Sequence, residues 1–239
     1  MSNRSFRLLF VLFLILIGLG QGLMRSPYFT VKEVQVLGTN QVNPEEVTAL
    51  TGVLPGQNIF SLRTQTVVKA VSGHPWVQSI ELVRQLPNKV LLHVTERKPL
   101  FIVPYRTSFL EIAADGVVLA LRPTLTGTGQ ALPLVTGFSI QDEVRLGQRL
   151  PGEKVAVISD CLQGLPAEFL NQVAEIHLDQ NHEITLYMLK GVQILLGEPV
   201  KLKQKLALLT GTWSELGAHG QMPASIDLRT GKEAVVRLK

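Results

Sequence analysis

The alternation of apolar and polar positions changes character along this chain. From residue 8 to residue 23 there is none: LLFVLFLILIGLGQGL is apolar apart from Gln21, and no charge falls between Arg7 and Arg25. A helix of about 17 residues at ~1.5 Å each is about 25 Å long, near the hydrocarbon thickness of a bilayer. Period-2 and helical patterns then take turns as far as Pro99. Val34 and Val36 alternate with polar neighbours in a strand pattern over 31–37 that stops at Gly38. Asn43-Pro44-Glu45-Glu46 starts a helix: Asn43 can cap it, Pro44 suits its first position, and Glu46 can reach back as in a capping box. That helix ends near Gly52, and Pro55-Gly56 marks a turn. A second helix is expected with Ser61 as its cap, carrying Leu62, Val67, Val68 and Val71 up to Gly73-His74-Pro75. Two strands follow, with Ile80, Leu82 and Arg84 on one side of the first and Val90, Leu92 and Val94 on one side of the second. Leu86-Pro87-Asn88-Lys89 joins them as a hairpin. The order is β-α-α-β-β, and three strands must bury their apolar face under the two helices.

Residues 99–239 read as a second, strand-rich domain. Strand patterns cover 100–103, 109–113 and 117–121, with Asp115-Gly116 as a turn, and a Pro/Thr/Gly-rich loop occupies 123–130. The run 132–137 brings the chain back, a helix pattern fills 151–163, and strands are expected at 173–178, 183–189 and 192–196. Leu202, Leu206, Leu209, Trp213 and Leu216 then form one stripe of a 3.6-residue period, with Pro199 near its start and Gly217 near its end. Strands at 224–228 and 233–238 close the chain. The fold class is therefore α+β: an N-terminal membrane helix, a small mixed module over 28–98, and a mainly antiparallel sheet domain with two helices over 99–239.

Charge orients these parts. Arg4 and Arg7 precede the apolar run, so the positive-inside rule places residues 1–7 in the cytoplasm, residues 8–24 in the membrane and the rest outside it, a single-pass type II topology. A cleaved signal peptide has the same polarity, and Gly18, Gly20 and Gly22 are small enough for a cleavage region. The apolar run is longer than a usual signal core and no Ala-x-Ala follows it, which favours an uncleaved anchor. The formal charge of +4 leaves only a small, scattered surplus outside, with no basic stripe of the kind nucleic acid requires. Lys201, Lys203 and Lys205 cluster, and are expected on the solvated side of the helix that carries the leucine stripe. Cys161 is the only cysteine, so no intramolecular disulfide can form, and its place in a helical stretch over 155–165 reads as a small buried thiol.

No catalytic, cofactor, metal or small-molecule site is expected. There is no Gly-x-Ser-x-Gly, phosphate loop, His-Glu-x-x-His or Cys-x-x-Cys. His74 and His93 have no metal-ligand partner at recognisable spacing, and His177 and His182 lie across a turn in poor geometry for one ion. Asp115, Asp142, Glu143, Asp160 and Asp179 are expected mostly at turns and caps, where carboxylates accept backbone hydrogen bonds. Trp76 and Trp213 are expected to pack in cores.

The segments FTVKEVQVLGTNQVNPEEV, NIF and HPWVQSIELVRQLPNKVLLHVTERKP resemble a POTRA domain of the kind carried by the bacterial cell-division proteins FtsQ and DivIB. In the second domain FLEIAADGVVL, LPLVTG, VQILLGEPVKLKQKLALL and IDLR before a last strand are similar to the same family, so the resemblance covers nearly the whole chain. It implies a divisome scaffold without enzymatic activity, in the plasma membrane and enriched at the division septum. Its implied partners are the small bitopic proteins of the FtsB/DivIC and FtsL types, held by strand addition, with further divisome membrane proteins at the POTRA-like domain. Carried over, the partner-binding residues are Ile226, Asp227, Leu228, Arg229, Thr230, Val235, Val236 and Arg237. The chain departs from the Gram-negative pattern after Arg229, where Thr230-Gly231 replaces an aromatic residue and a longer turn. Two other readings are a POTRA-bearing transport component, for which the ten-residue strands of a membrane barrel are missing, and a secreted hydrolase with a cleaved signal.

Overall fold

The computed structural model describes residues 3–125, 132–137, 140, 143–150 and 152–239, with side chains from residue 9 onward. It divides into Met1–Glu96 and Arg97–Lys239. The first unit begins with helix α1 (Asn3–Met24). After a 3-10 turn at Pro27–Phe29 come β1 (Glu33–Leu37), α2 (Pro44–Thr51), α3 (Thr64–Val71), β2 (Val77–Gln85) and β3 (Lys89–Glu96). The sheet order is β1-β3-β2, with β1 parallel and β2 antiparallel to the central β3. Register puts Ile80 opposite Val94, Leu82 opposite Leu92 and Arg84 opposite Val90. The alternating apolar residues thus share one face, buried with Val47, Val67 and Val71 of the two helices.

Local signals explain most of these boundaries. The Asn43 side chain accepts the Glu45 N–H at 2.9 Å, Pro44 opens α2, and Gly52 ends it at φ +66°, a left-handed conformation that costs glycine nothing. The Glu46 carboxylate, expected to close a capping box, lies instead 3.4 Å from His74 Nε2. The second helix starts later than expected. Its N-cap is Arg63, and the Ser61 hydroxyl donates to the Asn58 carbonyl at 2.7 Å, so the serine shapes the loop rather than the helix.

Glu96, the last residue of β3, ties this unit together. Its carboxylate accepts the backbone N–H groups of Asn40, Gln41 and Val42 at 2.8–3.0 Å, closing the β1–α2 loop onto the end of the central strand. Burial pulls the carboxyl pKa upward, but these three N–H groups and nearby His74 outweigh it and hold the pKa below the usual carboxylate value. Glu96→Gln is expected to cost about 1–3 kcal/mol, measured by urea melts of the full chain. A folded-state pKa below the unfolded one makes this contribution present above the ordinary glutamate pKa and lost as pH falls through the lowered value. The gap between wild type and variant should therefore narrow from about pH 7 to about pH 3.

The second unit contains β4 (Pro99–Tyr105), β5 (Ser108–Ala113), β6 (Val118–Arg122), β7 (Leu134–Thr136), α4 (Glu153–Gln163) and α5 (Ala167–Leu170). It continues with β8 (Val173–Leu178), β9 (Ile184–Met188), β10 (Gln193–Gly197), α6 (Leu202–Ala218), β11 (Pro223–Asp227) and β12 (Val235–Leu238). One nine-stranded sheet runs β12-β11-β10-β9-β8-β7-β4-β5-β6. Most of its pairs are antiparallel, but β4·β7, β7·β8 and β10·β11 are parallel. Each parallel pair needs a long connection, and α4 with α5 supplies one and α6 another. The short α5 adds a third helix to the two expected, and a four-residue helix is below what periodicity can detect. Phe169 of α5 stacks edge-on against Trp213 at 5.2 Å, which confirms that tryptophan as a packing residue.

Two expectations about charged residues fail. Asp160 is inside α4 rather than at a turn or cap. Lys205 is not solvated but 4% exposed on the buried side of α6, whereas Lys201 and Lys203 are exposed. Asp115 and Asp179 do serve turns: Asp115 accepts the Val117 N–H and pairs with Arg97 at 3.0 Å, and Asp179 accepts the Asn181 and Glu183 N–H groups at 2.8 Å. Glu143 is exposed in a loop segment. Asp142, Pro151 and most of the 123–130 loop lie outside the described residues.

Candidate partner-binding edge

Strand β11 lies between β10 and β12, so its backbone is paired on both sides, and β12 ends the sheet. Ile226 pairs with Ile194 and Val236, Asp227 with Leu195 and Val235, and Ser225 with Gln193 and Arg237. Alternation splits the eight expected contact residues by face. Ile226 and Leu228 are fully buried and Val236 packs on the core, so these three cannot present side chains to a partner. Asp227, Val235 and Arg237 share the opposite face, while Arg229 and Thr230 are exposed in the turn. Val235 is 60% exposed, and Leu238, which sequence reasoning did not single out, is 49% exposed. The signal for Leu238 was its place in the last strand at the sheet margin, which only the strand order makes visible.

Asp227 and Arg229 act on each other. The Arg229 guanidinium donates to the Asp227 carboxylate from Nε at 3.0 Å and from Nη2 at 2.6 Å, and the Arg229 backbone N–H donates to the same carboxylate at 3.0 Å. These bonds from Arg229 outweigh partial burial and hold the Asp227 carboxyl below the ordinary aspartate range. The pair shapes the β11–β12 turn from within. The turn then rests on β10, because a Cβ at Gly197 (φ +65°) would stand 2.8 Å from Arg229 Cγ, a separation that only glycine leaves open.

Lys205 supports the same turn from below. Its ammonium donates to the carbonyls of Leu196 at 2.7 Å and Glu198 at 2.8 Å, and its side-chain carbons lie about a van der Waals contact from where a Cβ at Gly231 would be. Burial lowers the ammonium pKa, against the attraction of Glu198 and Glu183. Lys205→Met removes the ammonium donor from those carbonyls and is expected to cost about 1–3 kcal/mol. The exposed Lys203→Met should stay within about 0.5 kcal/mol of wild type. Thermal midpoints compare the two, and amide exchange at Gly231 should quicken only in the first.

Elsewhere the candidate chemistry stays structural. His177 Nδ1 lies 2.9 Å from the Thr136 hydroxyl, His93 is exposed on β3, and among the described residues no group of three or more His, Cys, Asp or Glu could hold a metal ion. Cys161 is fully buried in α4, and burial pushes its thiol up to about 12. Its reaction with an aromatic disulfide reagent should be slower in the native chain than in denaturant by a factor on the order of a hundred or more.

Residues 29–97 match the family model for the FtsQ-type POTRA domain, and residues 102–229 match that for the C-terminal domain of the cell division protein FtsQ/DivIB. The second match alone covers more than half of the 239 residues. The chain belongs to the FtsQ/DivIB family of cell-division proteins. It is similar to the cell division protein FtsQ of Syntrophotalea carbinolica, 29% identical over 231 residues, which is 92% of this chain and 77% of that protein. The DivIB of Geobacillus kaustophilus is 26% identical over 174 residues, 71% of this chain and 62% of that one. The solved major extracytoplasmic domain of DivIB from Geobacillus stearothermophilus aligns at 19% identity with 52% of this chain and 94% of its own, at a TM-score of 0.36. FtsQ/DivIB is a cell-division family, not a known enzyme family. Its C-terminal model ends at Arg229, the point after which the sequence departs from the Gram-negative pattern, so β12 lies beyond the matched residues.

Proposed function

We propose that this FtsQ/DivIB member is a single-pass scaffold of the divisome, and that β12 takes up FtsB/DivIC- and FtsL-type partners by strand addition. The observation that carries the reading is the position of β12 at the sheet margin, with Val235 and Leu238 exposed. A marginal strand offers unpaired N–H and C=O groups to an incoming strand, which makes it a binding site when used and a hazard when not. Added main-chain bonds would supply affinity, while Val235, Arg237 and Leu238 would supply selectivity. Asp227 and Arg229, bonded to each other, would hold the turn in shape rather than meet the partner as free charges.

The membrane part of the proposal rests on α1. Among the described residues no helix is long and apolar enough to cross a membrane. As a backbone element, however, α1 extends over 22 residues, and its apolar side chains from Leu9 to Met24 are exposed all round. A helix that is apolar on every side needs a nonpolar medium. With Arg4 and Arg7 ahead of the apolar run, α1 would anchor the chain with residues 1–7 inside the cell and both compact units outside, at the septum.

Val235→Lys places a charge on the exposed face of the edge strand, opposite Asp227, without touching the core. In full-length protein captured from membranes it should weaken retention of the FtsB/DivIC- and FtsL-type partners about tenfold or more, equivalent to ~1.4 kcal/mol, with the melting midpoint unmoved. Unchanged retention would sink the assignment of β12.

A further inference from the structure

Outside α1, the exposed large hydrophobic residues of the first unit are Tyr28, Leu50, Leu54, Phe60 and Leu86. All but Leu50 lie on segments bonded together at the pole where α1 ends. The Asn58 amide donates to the Met24 carbonyl at 2.7 Å, tying the helix end to the module. The 29–31 segment pairs with 56–59, through Ile59 N–H to Phe29 O at 2.9 Å and Val31 N–H to Gln57 O at 2.8 Å. The hairpin turn that carries Leu86 joins them through Lys32 N–H to Asn88 O at 2.8 Å. Within this pole Phe29 bridges two aromatic neighbours, with ring centroids 5.4 Å from Tyr28 and 5.2 Å from Phe60. Tyr28 is 65%, Leu54 61% and Leu86 57% exposed, an unusual concentration for a small module otherwise clothed in polar residues. Arg25 and Arg63 stand exposed on the same segments.

An aromatic and aliphatic tip with a cationic rim, continuous with an all-round apolar helix, has the composition that the lipid–water boundary accepts. Tyrosine sits there with its ring among acyl chains and its hydroxyl in water, and arginine meets the phosphates. We infer that this pole of the POTRA domain seats in the headgroup layer of the bilayer, with Tyr28, Leu54, Phe60 and Leu86 dipping below the phosphates and Arg25 and Arg63 paired with them. The inference rests on α1 being the membrane anchor. It gives the module a fixed stance: the β2–β3 turn sits at the membrane while the far ends of both strands point away from it, and Gln78, six residues up β2 from Arg84, lies about 20 Å from the lipid-facing end at ~3.3 Å per residue.

The test uses the full chain in vesicles of phosphatidylcholine and phosphatidylglycerol, with single replacements Tyr28→Cys, Leu54→Cys, Gln78→Cys and Leu16→Cys carrying a polarity-sensitive fluorophore. Buried Cys161 stays unlabelled. Labels at 28 and 54 should emit to the blue of the label at 78, and lipids with a shallow nitroxide should quench them severalfold more strongly. If the label at 54 is as water-like as that at 78 while the label at 16 is quenched by a deep nitroxide, the inference is overturned and the anchor stands. An unquenched label at 16 overturns the anchor and this inference with it. A blue shift at 54 without nitroxide quenching assigns the pole to a protein contact and also overturns it.

Discussion

A single buried ammonium holds the far end of the large sheet in place. Lys205 enters from the first turns of α6 and donates to the two carbonyls where β10 runs out, beside the turn that leads into β12. Taking a cation out of water is expensive, and the cost is offset here only because carbonyl oxygens replace the lost water and Glu198 and Glu183 add attraction. The arrangement fastens α6 to the end of β10 and sets both beside the turn that follows β11. Among the described residues β12 pairs in the sheet only with β11, so the edge on which the proposed recruitment depends inherits its position from that point.

The first unit uses the reverse polarity for the same purpose. There a carboxylate, Glu96, gathers three backbone N–H groups and locks the β1–α2 loop to the central strand. Both devices satisfy main-chain groups that secondary structure leaves over, the ends of strands in one case and a loop in the other. Both act on the backbone from within, so neither uses an exposed side chain on the surfaces proposed for contact. Exposed hydrophobics at the α1 pole of the POTRA domain and on β12 are those that a lipid boundary and a partner strand would cover.

Much of the fold was legible in the chain because the signals were local. Period-2 alternation located β2 and β3 with their shared face, Asn43-Pro44 and Gly52 bracketed α2, and the leucine stripe located α6. Ser61 misled, since a serine at a helix start and a serine in the preceding loop look alike until the loop carbonyl it bonds is in view. Lys205 misled more instructively. It falls three residues after Leu202 and four before Leu209, on the apolar stripe itself, and only its charge argued for the outside. Periodicity was the better guide, because a lysine can satisfy its ammonium on backbone carbonyls that no sequence pattern announces.

By itself, then, the sequence determined the β-α-α-β-β module, the apolar N-terminal run, the strand-rich second half and, through the order of its motifs, the family. All of these rest on residues within a few positions of one another or on their linear order. Tertiary structure alone decided which strands lie at the sheet margins, and with it the faces of the candidate site. Pairing between β10 and β11 through a helical crossover turned Ile226 and Leu228 inward and left β12 at the edge. Strand neighbours are chosen by how distant apolar faces are buried together, and that choice is not written in any one stretch of chain.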